Sequence, residues 1–218
     1  MNRYQYVLFD LDGTLIDTNN LILTSFMYTL EKFYPGKYTR EDIIPHMGKP
    51  LYDQMKLFGP ERAEELVQIY REHNEQVHDE LVEEFPNVLE TIEDLAEMGV
   101  KMGIVTTKQR KTAEMGLRLF GLDTYMDAFV CYQDTKNHKP HPEPVQKAMQ
   151  ALGADPARTL MVGDSQYDIQ AAQNAGVASA GVAWSMKGAS FLSAFDPTYL
   201  LNDIRDLIQI VKQPVRQA

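Results

Sequence analysis

Asp10 and Asp12, in the run Asp10-Leu11-Asp12-Gly13-Thr14-Leu15, put two carboxylates two positions apart directly after the apolar stretch Tyr6–Phe9. An apolar run bounded by Asp and Gly reads as a buried strand ending in a tight loop, with Gly13 permitting the turn. Acids at the end of a buried strand are costly unless something pairs with them. In extended backbone the two would face the same side, where their mutual repulsion favours a divalent cation. A second acidic pair, Asp164 and Asp168, follows the apolar run 159–162 in Val162-Gly163-Asp164-Ser165-Gln166-Tyr167-Asp168. These two stand four apart at an expected helix start, so they share one helical face. No Cys or His at metal-binding spacing accompanies the acids, which points to a hard cation with oxygen ligands. Mg²⁺ fits, because it commonly uses few carboxylates together with waters and a substrate phosphate, whereas no EF-hand spacing exists for calcium.

Two further features are of opposite character: Thr106-Thr107-Lys108 after Gly103-Ile104-Val105, and Lys139-Pro140 after Asn137-His138. Hydroxyls and ammonium groups suit phosphate oxygens, and Lys139 would offset the acidic charge. Each stretch taken singly also has an ordinary reading as a surface turn or loop. Their joint order, each directly after an apolar strand or in a loop following one, argues for a single site of phosphoryl transfer.

The positioning elements are legible around these motifs. Between residues 19 and 81 the pattern is helical, with Thr39 and Asp42 resembling a capping box and one long amphipathic helix expected from Ala63 to Leu81. After Phe85-Pro86 strands and helices alternate: helices at 89–98, 110–120, 142–152, 165–175 and 204–211, and strands at 100–105, 129–131, 159–162 and 178–182. Such alternation predicts an α/β protein, a doubly wound (Rossmann-like) parallel sheet with helices on both faces. Ligands of such sheets bind at the carboxyl edge. The helical block falls near the start of that pattern, so the expected division is a core of residues 1–17 and 83–218 with an inserted helical unit at 18–82. The crossings at 16–19 and 81–86 would be its hinges, and 213–218 is expected to be a frayed tail.

The chain of 218 residues has 21 Lys plus Arg against 31 Asp plus Glu, a net charge of −10. That balance leaves no basic surface to hold nucleic acid or a membrane by bulk electrostatics, so an anionic ligand must be held locally. Hydrophobic residues at 44% and charged residues at 24% are ordinary globular values. The single Cys131 excludes an internal disulfide framework and a Cys-rich zinc site. No run approaches the ~18 apolar residues of a membrane span, and the expected location is cytoplasmic.

The four stretches resemble, in order and spacing, the four motifs of the haloacid dehalogenase-like (HAD) superfamily. That resemblance implies Asp10 as nucleophile, Asp12 as general acid and base, Thr106 as the phosphate-positioning hydroxyl, Lys139 as the charge-neutralising lysine and Asp164 as a Mg²⁺ ligand. Asp168 would support the metal through water, and the Asp12 carbonyl would join its ligands. Residues 18–82 are similar to the helical type 1 cap of the superfamily. The true dehalogenases lack the second aspartate, so Asp12 disfavours dehalogenation. Over residues 6–211 the chain looks like the PpaX-type inorganic pyrophosphatases, most closely at 78–84, 103–117 and 180–184, which implies pyrophosphate as substrate. The same residues would serve a phosphatase of small monoesters such as phosphoglycolate, or, less well, a sugar-phosphate mutase or a non-catalytic binding module. The Schiff-base lysine of phosphonoacetaldehyde hydrolases would fall at Leu51, which excludes that chemistry.

Substrate selection is expected from the loop His46-Met47-Gly48-Lys49-Pro50, where Gly48 would let backbone approach the ligand and Lys49 would offer charge; the same loop also reads as a plain turn between helices. Lys49, Lys108 and Lys187 are the candidates for holding a leaving phosphate, and Thr107 is a further substrate-binding candidate. His138, His141 and the aromatics Tyr28, Phe33 and Tyr70 are expected to be structural, and Trp184 either borders the site or packs.

Overall fold

The computed structural model describes residues 2–212; the tail expected to fray lies outside the described residues. Its strands, in chain order, are β1 (Tyr6–Phe9), β2 (Ile16–Asp17), β3 (Glu83–Glu84), β4 (Lys101–Val105), β5 (Ala128–Val130), β6 (Thr159–Gly163), β7 (Ala178–Val182) and β8 (Tyr199–Leu201). The helices are α1 (Asn19–Glu31), α2 (Arg40–Ile43), α3 (Leu51–Phe58), α4 (Ala63–Gln76), α5 (His78–Leu81), α6 (Val88–Glu97), α7 (Arg110–Leu119), α8 (Glu143–Leu152), α9 (Gln166–Ala175), α10 (Ala189–Ser193) and α11 (Asp206–Lys212). Six strands form one parallel sheet in the order β5-β4-β1-β6-β7-β8. The α/β, doubly wound reading therefore holds.

The central strand shows why the sheet is covered on both sides. Val7 and Phe9 point into one hydrophobic layer with α6, α7 and α11, while Leu8 points into the other with α8 and α9. All three are fully buried, each contributing roughly 1.5–3 kcal/mol of hydrophobic stabilisation. Because β1 lies between β4 and β6, with Phe9 level with Ile104 and Val162, residues 10, 106 and 164 emerge side by side at one edge. The chain winds from β1 towards β5 and then returns to β6, which makes that edge the topological switch point.

The helices between β2 and β3 build a hydrophobic cluster of their own, centred on Phe26, Leu30, Met55, Phe58, Leu66 and Tyr70. Phe26 meets Tyr70 edge-on at 5.0 Å between ring centroids. The expected single helix over 63–81 is broken: α4 stops at Gln76, Val77 leaves helical geometry at φ −107° and ψ 12°, and α5 restarts at His78. The break turns His78 inward, fully buried, against Gly116 of α7. At the two crossings the chain pairs with itself, Ile16 opposite Glu84 and Asp17 opposite Glu83 in an antiparallel ribbon. The ribbon, α10 and β8 had no counterpart in the sequence pattern. Among the described residues no helix is long and apolar enough to cross a membrane.

Candidate active site

Asp10 is the first residue beyond β1 and continues its ladder, its N–H donating to the Val162 carbonyl at 2.9 Å. The loop then closes through Gly13, whose N–H reaches the Ile16 carbonyl at 2.9 Å. Gly13 has φ +76°, and a Cβ there would lie 2.5 Å from Asp164 Oδ2. Glycine is therefore required twice, for backbone conformation and for the approach of the first acidic loop to the second.

Lys139 crosses beneath this edge and is almost completely buried. Its Nζ donates to Asp10 Oδ1 at 2.7 Å, Asp168 Oδ1 at 2.5 Å and the Val105 carbonyl at 3.0 Å, which uses all three ammonium hydrogens. Asp168 is held from the other side, Oδ2 accepting from the Ser165 N–H at 3.1 Å and hydroxyl at 2.5 Å in a capping box at the start of α9. Gly163 makes room for it, since a Cβ there would stand 2.3 Å from the Asp168 side chain.

One carboxylate oxygen from each of Asp10, Asp164 and Asp168 lies within 4.8 Å of the others, so the group could hold a metal ion. Asp168 already accepts on both oxygens, whereas Asp164 makes no ion pair among the described residues; an all-oxygen donor set of this kind suits a hard cation. Asp12 stands apart from the acidic group: its Oδ1 accepts from Lys108 Nζ at 2.8 Å. Thr106 is buried at the end of β4, and its hydroxyl accepts the Lys108 N–H at 3.1 Å.

Burial pushes the Asp10 carboxyl up to about 7, with the Asp168 and Asp12 charges adding to the rise and Lys139 opposing it. Burial also holds Asp164 well above the ordinary range, reinforced by Asp10 and Asp168. For Lys139 burial acts downward, but the two carboxylates outweigh it and keep the amine above its usual value. A carboxyl whose folded pKa exceeds its unfolded one stabilises fully below the unfolded value of 3.8 and loses that contribution as pH rises through about 7. In EDTA the protein is thus expected to lose several degrees of thermal stability between pH 5.5 and 8. A divalent cation should restore more at pH 8 than at pH 5.5; thermal melts in EDTA and in Mg²⁺ at both pH values check this, and a flat EDTA profile would contradict it.

These groups open into a cavity of about 120 Å³ lined by Asp10, Asp12, Thr106, Lys139 and Asp164 together with Gly48, Lys49, Thr107 and Lys108. Of the sequence-derived candidates only Asp168 and Lys187 stay out of the lining, and Asp168 lies one layer behind it, bonded to Lys139. Gly48, at φ +95°, brings its loop so close to α9 that a Cβ would meet Tyr167 at 3.0 Å and Ser165 at 3.1 Å. Lys187 is not in the lining: its Nζ donates to the Met47 carbonyl at 2.8 Å and Gln166 Oε1 at 2.9 Å, tying the 46–50 loop to the core. His138 stacks on Tyr132, and Trp184 packs against Phe85. Tyr70 belongs to the helical cluster yet also touches the cavity, as do Arg71, Asn74 and Gln109. Tyr70 was expected to be core and is so in part, whereas Arg71, Asn74 and Gln109 were missed, because nothing in their spacing separates them from a helix face or an ordinary loop.

A parallel sheet whose switch-point edge carries a buried lysine among aspartates, covered by helices, defines a hydrolase of the α/β class with a capped acidic centre. The chain belongs to the haloacid dehalogenase-like hydrolase family, which it matches over residues 7–182. It is 52% identical over 205 residues to the pyrophosphatase PpaX of Halalkalibacterium halodurans, covering 94% of this chain and 95% of that one. With the pyrophosphatase PpaX of Bacillus velezensis it shares 47% over 208 residues, 95% and 96% of the two chains. Among solved structures, a haloacid dehalogenase-like hydrolase from Bacteroides fragilis superposes with a TM-score of 0.88 at 29% identity, covering 94% of this chain and 99% of that one.

Proposed function

We propose that the protein is a magnesium-dependent inorganic pyrophosphatase, working through an aspartyl-phosphate on Asp10. The observation that carries this reading is likeness to PpaX pyrophosphatases over nearly the full length of both chains. A cavity whose lining brings lysines and threonine hydroxyls up to Asp10 suits a small phosphorylated substrate. Phosphate hydrolysis is so slow unaided that acid–base catalysis worth ~10²–10⁴ is insufficient, which favours a covalent route.

In the first step a carboxylate oxygen of Asp10 attacks one phosphorus in line. A P–O bond to Asp10 forms, the bridging P–O bond breaks, and Asp12 gives its proton to the departing phosphate. Lys139 steadies the nucleophile through Oδ1 and leaves Oδ2 for the attack. Water then attacks the acyl phosphate, Asp12 takes its proton, and the second orthophosphate leaves. Lys139, the Thr106 hydroxyl and backbone N–H groups of the Asp10 loop hold the equatorial charge. Magnesium, held by the Asp10 and Asp164 carboxylates and the Asp12 carbonyl, would supply positive charge against the phosphoryl oxygens. Asp168 serves by fixing Lys139 and the α9 loop. Lys108 orients Asp12, and Thr107, Gly48 and Lys49 close on the substrate. Residues 18–82 act as a cap swinging about the crossings at 16–19 and 81–86, shutting water out during transfer and admitting it afterwards.

Orthophosphate release in Mg²⁺, from pyrophosphate and from a panel of monoesters including phosphoglycolate, tests the assignment. Pyrophosphate is expected to have the highest kcat/KM. A ten-fold preference for any monoester would overturn it.

A further inference from the structure

Pyrophosphate differs from a simple monoester in carrying a second anionic phosphoryl group, and the cations described so far are mostly committed elsewhere. Lys139 has spent its three hydrogens, Lys108 is paired with Asp12, and Lys187 ties two segments together, which leaves Lys49 of the 46–50 loop and Arg71 as the cavity's uncommitted cations among the described residues. Arg71 projects from α4 of the helical unit into the same cavity as Asp10 and Asp12, half-buried, and no carboxylate among the described residues forms an ion pair with it. Its polar partner is Gln109, in the loop after β4. With the Gln109 amide turned so that its oxygen faces the guanidinium, that oxygen accepts from both Nη atoms, at 2.9 and 3.1 Å. Gln109 is one residue past Lys108, so the contact joins the helical unit to the loop carrying the phosphate-binding hydroxyls.

We infer that Arg71, steadied by Gln109, binds the second anionic group of the substrate. A guanidinium offers five N–H donors in a planar fork that matches phosphate or carboxylate oxygens in pairs, and Gln109 uses only part of that fork. The subsite is assembled from both sides of the cavity, Arg71 from the helical unit and Gln109 from the core. A substrate bearing two anionic groups would therefore bridge nucleophile and cap, whereas one with a single phosphoryl group would not. Arg71 thereby determines specificity, and Gln109 is a positioning residue acting through it. The inference deepens the pyrophosphatase reading and rests on it for the identity of the second anion.

The test compares Arg71→Met and Arg71→Lys with the unmodified protein on pyrophosphate, phosphoglycolate and p-nitrophenyl phosphate, with thermal melts confirming folding. For Arg71→Met the ratio of kcat/KM on pyrophosphate to that on p-nitrophenyl phosphate is expected to fall about ten- to hundred-fold, the range for hydrogen bonds to a charged group. Arg71→Lys, which keeps the charge and loses the fork, should fall between. Gln109→Ala should raise KM for pyrophosphate while leaving its kcat nearly unchanged. A ratio within two-fold of the original in Arg71→Met overturns the subsite; if that variant does not fold, the same criterion applied to Arg71→Lys decides. Should the unmodified protein prefer phosphoglycolate and Arg71→Met lose that preference, the pyrophosphatase reading fails while the subsite stands, its anion being a carboxylate.

Discussion

Asp10→Asn is expected to reduce orthophosphate release from pyrophosphate at least about 10⁴-fold while leaving the protein folded. An amide is isosteric with the carboxylate and cannot form the acyl phosphate, so the loss falls on the chemical step; removal of a covalent nucleophile elsewhere costs on the order of 10⁶ in kcat. The structural cost is small because Lys139 keeps Asp168 Oδ1 and the Val105 carbonyl as partners. Removing one charge also relieves Asp164, whose carboxyl is raised by burial first and by Asp10 next. In EDTA at pH 8 the variant should therefore melt no lower than the unmodified protein. Steady-state rates, together with acid-quenched trapping of phosphorylated protein, read both halves. Activity within ten-fold of the original would remove Asp10 as the nucleophile.

The parts of this arrangement visible in the sequence are those whose residue type and local position carry the same message. Tyr6–Phe9 and Thr159–Gly163 are uninterrupted apolar runs because both faces of a parallel sheet are covered, and the acids after them stand out for that reason. Thr106 was legible on the same grounds. Elements fixed by tertiary docking were not. The two-residue ribbon Ile16–Asp17 with Glu83–Glu84 is too short to have a period, and the break at Val77 has no Gly or Pro to mark it, being set by the burial of His78. Arg71 stands in a stretch with Glu72 and Glu75 that reads as a solvated face. Only the packing of α4 over the β4 loop turns it towards the cavity. Asp168 was placed near the metal by its spacing from Asp164, but its pairing with Lys139, 29 residues earlier, is a fact of the folded sheet.

Lys139→Met should be the most damaging single change to stability, and it should lower activity as well. The ammonium meets three converging acceptors with three hydrogens, in a site where the lysine and Asp168 are nearly inaccessible to solvent. Methionine replaces the stem but leaves two buried carboxylates facing each other, and breaking a buried ion pair by deleting one partner costs about 3–5 kcal/mol. The sign of the pH dependence follows from the same groups. Without the lysine nothing opposes the effect of burial on Asp10, so its carboxyl rises further and the penalty shrinks at lower pH, where the acid takes up a proton. Urea unfolding in EDTA should therefore show a larger deficit at pH 8 than at pH 5.5, with equal midpoints for variant and parent at pH 8 as the contradicting result. Turnover should fall about 10²–10³-fold or more, as for removal of a preorganised donor from a developing charge. Lys139→Arg is not expected to rescue either property, because a planar fork cannot direct three hydrogens from one nitrogen into a pocket shaped for an ammonium.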